Sequence, residues 1–273
     1  GYNNENDKTF NIQLNAKWDL PYVEGLSVGA LGNVRYGDYN QKIFQSKAPQ
    51  HQPNGARVPY TSNFLRMTND NGTQTSFDAN ILYRKSIDRH NFELQGVYSF
   101  YKSKGDNFWG QREGYLSSNF DQLFAGDAST QTNYGAGRES ARLGYVGRVK
   151  YDWDARYMFE GNFRIDKSDN FARGERTGFF PSGAVAWTIS EESFMEGLKD
   201  KNIIDFLKVR TSYGLVGLEA GARFGYLPVY SLDPQAAVIN GSFQPGFSEG
   251  PLVSNDLSWY DRQVFDVGLD ASF

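Results

Sequence analysis

The sequence predicts an all-β fold, an antiparallel up-and-down transmembrane β-barrel segment with long extracellular loops and short periplasmic turns. Three observations predict it. Apolar and polar residues alternate with period two along many separate segments. The connections between those segments alternate between short and long. The chain is 16% aromatic, yet its mean hydropathy is −0.59, and it lacks the roughly 18-residue apolar run that a transmembrane helix needs.

The first segment, TFNIQLNAKWDL (9–20), places Phe10, Ile12, Leu14, Ala16, Trp18 and Leu20 opposite Thr9, Asn11, Gln13, Asn15, Lys17 and Asp19. Successive side chains of a β-strand point to opposite faces, so this segment separates an apolar environment from a polar one. In 26–36 one face is Leu26, Val28, Ala30, Val34 and Tyr36. In 76–87 it is Phe77, Ala79, Ile81, Tyr83 and Ile87, interrupted by Lys85. In 91–101 Phe92, Leu94, Tyr98 and Phe100 oppose Glu93, Gln95 and Ser99. In 141–153 Leu143, Tyr145, Val149, Tyr151 and Trp153 oppose Arg142, Arg148, Lys150 and Asp152. In 156–166 Tyr157, Phe159, Phe163 and Ile165 oppose Glu160, Asn162, Arg164 and Asp166.

Three more segments follow. Phe179, Val185, Trp187 and Ile189 face away from Ser182, Ala184, Ala186 and Thr188; Leu207, Val209, Tyr213 and Leu215 from Lys208, Arg210 and Ser212. In the last, Phe265, Val267, Leu269, Ala271 and Phe273 face away from Asp266, Asp270 and Ser272. That makes about nine candidate strands, most as long as the roughly 9–11 residues a membrane-spanning strand requires.

Connections 20–25, 86–91 and 152–157 are short, whereas 40–75, 103–138 and 216–259 are long and rich in Gly, Asn, Ser, Asp and Pro. A soluble sandwich shares the local alternation but has no reason to gather every long loop at one end. By parity 190–206 falls at the short-turn end as an elaborated turn. There Ser190 is expected to cap a short helix, with Glu191 and Glu192 in its first turn. Trp18, Tyr151, Trp153, Tyr157, Phe159 and Trp187 gather near the same end, as an interfacial aromatic girdle would.

Composition excludes several chemistries. The chain has no cysteine, so disulfides, thiolate metal sites and cysteine nucleophiles are out. A net charge of −4 without a basic block argues against nucleic acid as a partner. The two histidines, His51 and His90, fall at opposite ends of the strands and cannot share a catalytic site. Asp106, Asp121 and Asp127 have oxygen ligands suited to a hard cation, but their spacing matches no known loop. No enzyme activity, metal or cofactor is expected.

Two residue sets are candidates for contact with a ligand. GDNFWGQREGY (105–115), in an expected loop, offers Phe108, Trp109 and Tyr115 among Asn107, Gln111 and Arg112, an aromatic platform with planar hydrogen-bonding groups that suits sugar rings or peptide backbones. Tyr134 and Trp259 are weaker members. Packing of one loop on another explains these residues equally well. The second set is the lumen-facing polar row, led by Arg142, Arg148, Lys150, Glu160, Arg164, Asp166 and Arg210. Its bland reading is a solvated network and its sharper one a substrate path.

The stretch from DQLFAGDAS to WTISEESFMEG (121–197) resembles the SusC-like branch of TonB-dependent outer-membrane transporters. So do LKVRTSYGLVG (207–217) and DLSWYDRQVFDVGLDASF (256–273). The DQLFAG loop, FRIDKSDNF, the GFFPSGAVAWTISEE turn and the RTSYG strand come in the family's order, and the resemblance covers residues 9–273 almost continuously. One departure is Gly217–Leu218–Glu219, where the family usually has a glycine-asparagine or glycine-aspartate pair. Strand pattern begins at residue 9 with no signal peptide, TonB box or plug before it, and about nine strands fall short of the family's barrel. The resemblance therefore implies that residues 1–273 are a partial barrel domain from the middle of a larger transporter.

What the resemblance implies for function is TonB-energised import of a glycan or oligopeptide across the outer membrane of a Gram-negative bacterium. Its implied partners are a SusD-like surface lipoprotein, the TonB complex acting through a plug, and outer-membrane lipid. The residues alone leave two other readings open: a small outer-membrane barrel enzyme of protease or lipase type, and a soluble β-rich adhesive protein.

Overall fold

The computed structural model describes residues 1–46, 53, 63–117, 119–199, 203–219, 221 and 223–272; His51 and Phe273 lie outside them. Eleven strands follow in chain order: β1 (Tyr2–Asp19), β2 (Leu26–Gln45), β3 (Phe64–Ile87), β4 (His90–Glu113), β5 (Thr132–Trp153), β6 (Tyr157–Ser168), β7 (Thr177–Thr188), β8 (Phe206–Leu218), β9 (Tyr230–Ile239), β10 (Ser242–Glu249) and β11 (Tyr260–Ser272). Nine of them form one sheet in the order β1-β2-β3-β4-β5-β6-β7-β8-β11, and β9 and β10 pair separately as a ribbon.

The long strands outrun the sequence pattern. β3 and β4 have 24 residues each and β2 has 20, so much of the expected loops 40–75 and 103–138 is strand. Beyond Tyr36 and Phe100 apolar residues are sparse and fall on both faces, as Ile43 and Phe44 do in β2 and Phe108 and Trp109 in β4. Pairing continues there through the backbone, but hydropathy no longer carries the period of two.

Register agrees with the alternation. Across β5 and β6, Tyr145 opposes Ile165, Gly147 opposes Phe163 and Tyr151 opposes Phe159, while Arg148 opposes Asn162 and Lys150 opposes Glu160. Across β8 and β11, Tyr213 opposes Phe265 and Val209 opposes Leu269, while Lys208 opposes Asp270. A residue directly opposite shares the face, so in the pairs named apolar meets apolar and polar meets polar, while Val146 opposite Arg164 and Val216 opposite Arg262 depart from the rule.

Turn chemistry fixes two hairpins. Asp154 and Ala155 have φ of 55° and 54°, and Arg156 N–H donates to the Trp153 carbonyl at 2.9 Å, a turn with two left-handed residues followed by one extra residue, Arg156, before Tyr157 pairs with Trp153. Asn240 and Gly241, with φ of 52° and 79°, make a two-residue turn of type I′ between Ile239 and its partner Ser242. The connection after β7 runs through short 3₁₀ turns at Ile189–Glu191 and Ser193–Met195 into helix α1 (Glu196–Lys199). Ser190 is buried inside the first of these turns, so the expectation that it caps a helix fails; the helix starts six residues later, at Glu196.

The chain divides into two compact units. The first comprises Gly1–Leu14, Gly32–Ser76 and Tyr101–Ser140. Its core is Phe44, Leu65 and Tyr115, with Tyr2, Leu123 and Ala125 packed against it. The second comprises Asn15–Leu31, Phe77–Phe100 and Ala141–Phe273. Its most buried side chain is Phe171, at 1% exposure, under Trp259 at 5.4 Å between ring centres. Phe163, Phe179, Val185, Phe265, Val267 and Leu269 of this unit are all exposed, the last three by 66% or more. A water-soluble sheet does not leave so continuous an apolar face uncovered.

Candidate functional site

The polar face of the sheet carries the groups able to meet a ligand. In the first unit it begins as an amide ladder: Asn33 Nδ2 donates to Asn11 Oδ1 at 2.9 Å, and Gln41 Nε2 donates to Asn3 and Glu5. Further along, the Arg66 guanidinium lies 4.5 Å over the Trp109 ring while its Nε donates to Gln111 Oε1 at 2.8 Å. Arg138 pairs with Asp70 by passing over Gly105, where a Cβ would stand 3.0 Å from the guanidinium and 2.5 Å from the Asn71 carbonyl oxygen. Only glycine leaves that path open.

This geometry separates the expected ligand set. Asn107, Phe108, Trp109 and Arg112 lie in β4 and not in a loop. Neighbouring strand residues point to opposite faces. Trp109 therefore shares a face with Asn107, Gln111 and Arg66, while Phe108 turns to the other face and is exposed. Arg112 donates to Gln131 Oε1 at 2.7 Å and to the Phe124 carbonyl, holding the 114–131 connection in place.

Tyr115 is buried at 3% exposure; its ring meets Phe44 edge-on at 5.4 Å and its hydroxyl donates to the Gln122 carbonyl. It has no face left for a ligand. Tyr134 is exposed on β5, in the alternation of Arg138. Trp259 belongs to the second unit, where it packs on Phe171 and Phe180 and donates Nε1–H to the Arg176 carbonyl at 3.0 Å.

The 114–131 connection is held by charge as well. Asp121 Oδ2 accepts from Lys42 Nζ at 2.8 Å and from the Tyr2 hydroxyl, and these two bonds hold its carboxyl below the usual aspartate range. Asp127 accepts from the backbone N–H of Ser129, which lowers it likewise. These acids serve the loop's own structure. Among the described residues no group of three or more acids or histidines is placed to hold a metal.

In the second unit the polar row is a chain of ion pairs. Glu160 accepts from Arg148 at 2.9 and 3.1 Å, Arg84 pairs with Glu93 at 2.7 Å, Arg164 with Asp166 at 2.5 Å and Arg210 with Asp270 at 3.5 Å. Lys150 reaches Glu160 only at 3.6 Å. Arg142 pairs at 2.5 Å with Glu219, the residue at the departure from the family pattern, so that departure installs a carboxylate where β8 ends. The ion pair was not legible from one sequence, but Glu219 itself was marked by that departure.

At the short-turn end Trp153 stacks on Tyr157 at 5.5 Å and Tyr157 on Trp187 at 6.4 Å. Glu192 accepts from the Tyr157 hydroxyl at 2.5 Å and from Trp187 Nε1 at 3.0 Å, which lowers its carboxyl. His90 stacks near Tyr151, its Nδ1 2.8 Å from the hydroxyl.

No family model matches the sequence. The chain is 30% identical over 203 residues to TonB-dependent receptor P3 of Formosa agariphila, an alignment covering 74% of this chain and 20% of that protein. It is 29% identical over 214 residues to TonB-dependent receptor SusC of Bacteroides thetaiotaomicron, again covering 74% and 20%. The RagAB peptide importer in its closed-closed state matches 98% of this chain and 28% of the aligned chain, with a TM-score of 0.80 at 19% identity. The open-open state gives 0.79 at 20% identity. The chain thus spans about a fifth of the length of these curated relatives. Over the stretch of transmembrane β-barrel that it spans, the chain is similar in sequence to TonB-dependent receptors, SusC among them, and in fold to the RagAB barrel.

Proposed function

We propose that residues 1–273 form a partial barrel domain of an outer-membrane transporter that imports a glycan or oligopeptide nutrient with energy from TonB. One observation carries this reading: nine strands share one exposed apolar face and one hydrated, charged face, in a chain related to SusC. The apolar face meets outer-membrane lipid and the charged face lines a wet lumen. Arg142, Arg148, Lys150, Glu160, Arg164, Asp166 and Arg210 are the lumen row. Trp109 with Asn107 and Arg66, together with Tyr134, offers the ligand an aromatic and amide surface near the long-loop end. A SusD-like lipoprotein presents the nutrient and the TonB complex acts on a plug; RagAB, described as a peptide importer, supports a peptide as one candidate cargo.

The test is uptake by cells carrying the full-length receptor. Labelled oligosaccharides and oligopeptides are offered with and without the proton gradient. Uptake of one class that stops when the gradient is collapsed supports the reading; uptake indifferent to deletion of the receptor contradicts it.

A further inference from the structure

Two cations in the polar row of the second unit lack a close carboxylate partner. A concavity of ≈ 480 Å³ on that face is lined by Arg84, Lys85, Lys150, Lys208 and Arg210, of which Lys85 pairs with Glu24 at 2.8 Å and Arg210 with Asp270 at 3.5 Å, just outside the lining. Its floor is the methyl groups of Ala184 and Ala186, between the taller Met158 and Glu160 of β6 and Lys208 and Arg210 of β8. The acids there are already engaged: Glu93 by Arg84, Glu160 by Arg148 and Asn162, Asp152 by Asn91 and the Ala155 N–H. Lys150 takes only the long 3.6 Å share of Glu160.

Lys208 has no carboxylate partner among the described residues. Its half-buried ammonium reaches across β7 to the Met158 sulfur at 3.2 Å, a weak acceptor. An ammonium loses hydration in such a trough, and a thioether returns little of it.

We infer that the trough is a seat for a carboxylate supplied from outside the described residues, taken by Lys208 with Lys150, its carbon stem on Ala184 and Ala186. Each cation contributes a charge-assisted N–H···O bond that neither makes at full strength within the chain. Two sources carry that chemistry: an acidic side chain from another segment of the same receptor, or an anionic ligand in transit. The second source rests on the proposed import function; the first does not.

Zero-length carbodiimide coupling of the purified full-length receptor, read by peptide mass spectrometry, tests this directly, because it joins an amine only to a carboxylate in contact. The pairs Lys42–Asp121 and Lys85–Glu24, both at 2.8 Å, are internal standards. Coupling of Lys208 or Lys150 in the ligand-free receptor to an acid outside the described residues, at a yield like the standards, establishes the internal source; coupling only to Asp270, opposite Lys208, does not and counts against the inference. Coupling only after addition of the C-terminally amidated peptide Gly-Glu-Glu-Gly or of trigalacturonate, and not of amidated Gly-Gln-Gln-Gly or neutral trigalactose, establishes the transit source and its class. Standards that couple while Lys208 and Lys150 stay unmodified in every arm overturn the inference. Uptake can fail while either coupling appears, so the two readings are separable.

Discussion

The two faces of β6 are built from alternate residues of one twelve-residue strand, yet they obey opposite rules. Phe159 and Phe163 are exposed and Ile165 is half-buried, together an apolar surface, and Phe163 lies across Gly147 of the neighbouring strand, where a Cβ would stand 2.2 Å from its ring. Glu160, Asn162, Arg164 and Asp166, on the other face, satisfy one another by hydrogen bonds and ion pairs. In a soluble protein the first face would be the core and the second the surface. In the proposed transporter the first face is the lipid surface and the second the wall of a wet lumen, so hydrophobicity is a surface property and ion pairing an interior one.

Substitutions that cross this divide should show the largest effects. Phe163→Arg is expected to cost about 2–4 kcal/mol if the residue sits at the bilayer midplane, against about 0.5 kcal/mol or less for Asn162→Arg one position away. Denaturant unfolding of the full-length receptor in liposomes reads both, and equal costs would erase the comparison. Gly217→Val comes next. A Cβ there would stand 2.0 Å from the Phe180 ring, itself held by Trp259, so overpacking should cost about 1–3 kcal/mol and speed proteolysis of the 220–258 connection.

Smaller effects sharpen the picture. Ala155→Gly should stabilise by about 1 kcal/mol, since alanine sits at a φ of 54° that disfavours a Cβ. Arg164→Ala should change stability by about 0–1 kcal/mol, because its ion pair is partly solvated. The pH dependence is local. Asp121 has a lowered folded pKa, so its hold on the 114–131 connection is complete above its ordinary value of 3.8 and is lost as pH falls through the lower folded value. The hydrogen-exchange protection factors of 114–131, taken against the intrinsic rate at each pH, should therefore be unchanged between pH 7 and 5 and fall only in stronger acid; a fall near pH 6 would refute the assignment.

The membrane-spanning strands were legible because lipid on one side and water on the other write a period of two into the residues. Where apolar residues are few and fall on both faces, as in 37–45 and 102–113, that signal vanishes and strand looks like loop. The β9–β10 ribbon carried a local signal that went unread: Asn240–Gly241 between VI and SF is the favoured type I′ hairpin pair. For the candidate site, the grouping of the residues was not legible. Phe108 and Trp109 look like one platform in the sequence and are parted by the pleat, while the partners Arg66, Phe171 and Glu219 come from distant positions.

The most direct test of the central claim uses the absence of cysteine from these 273 residues. Single cysteines placed in turn at 158 through 165 of the full-length receptor in liposomes, each carrying a nitroxide, report collisions with membrane-soluble oxygen and with a water-soluble nickel chelate. Oxygen should dominate at 159, 161, 163 and 165 and the chelate at the positions between them. Equal access at successive positions, or chelate dominance along the whole strand, would contradict a lipid-facing wall.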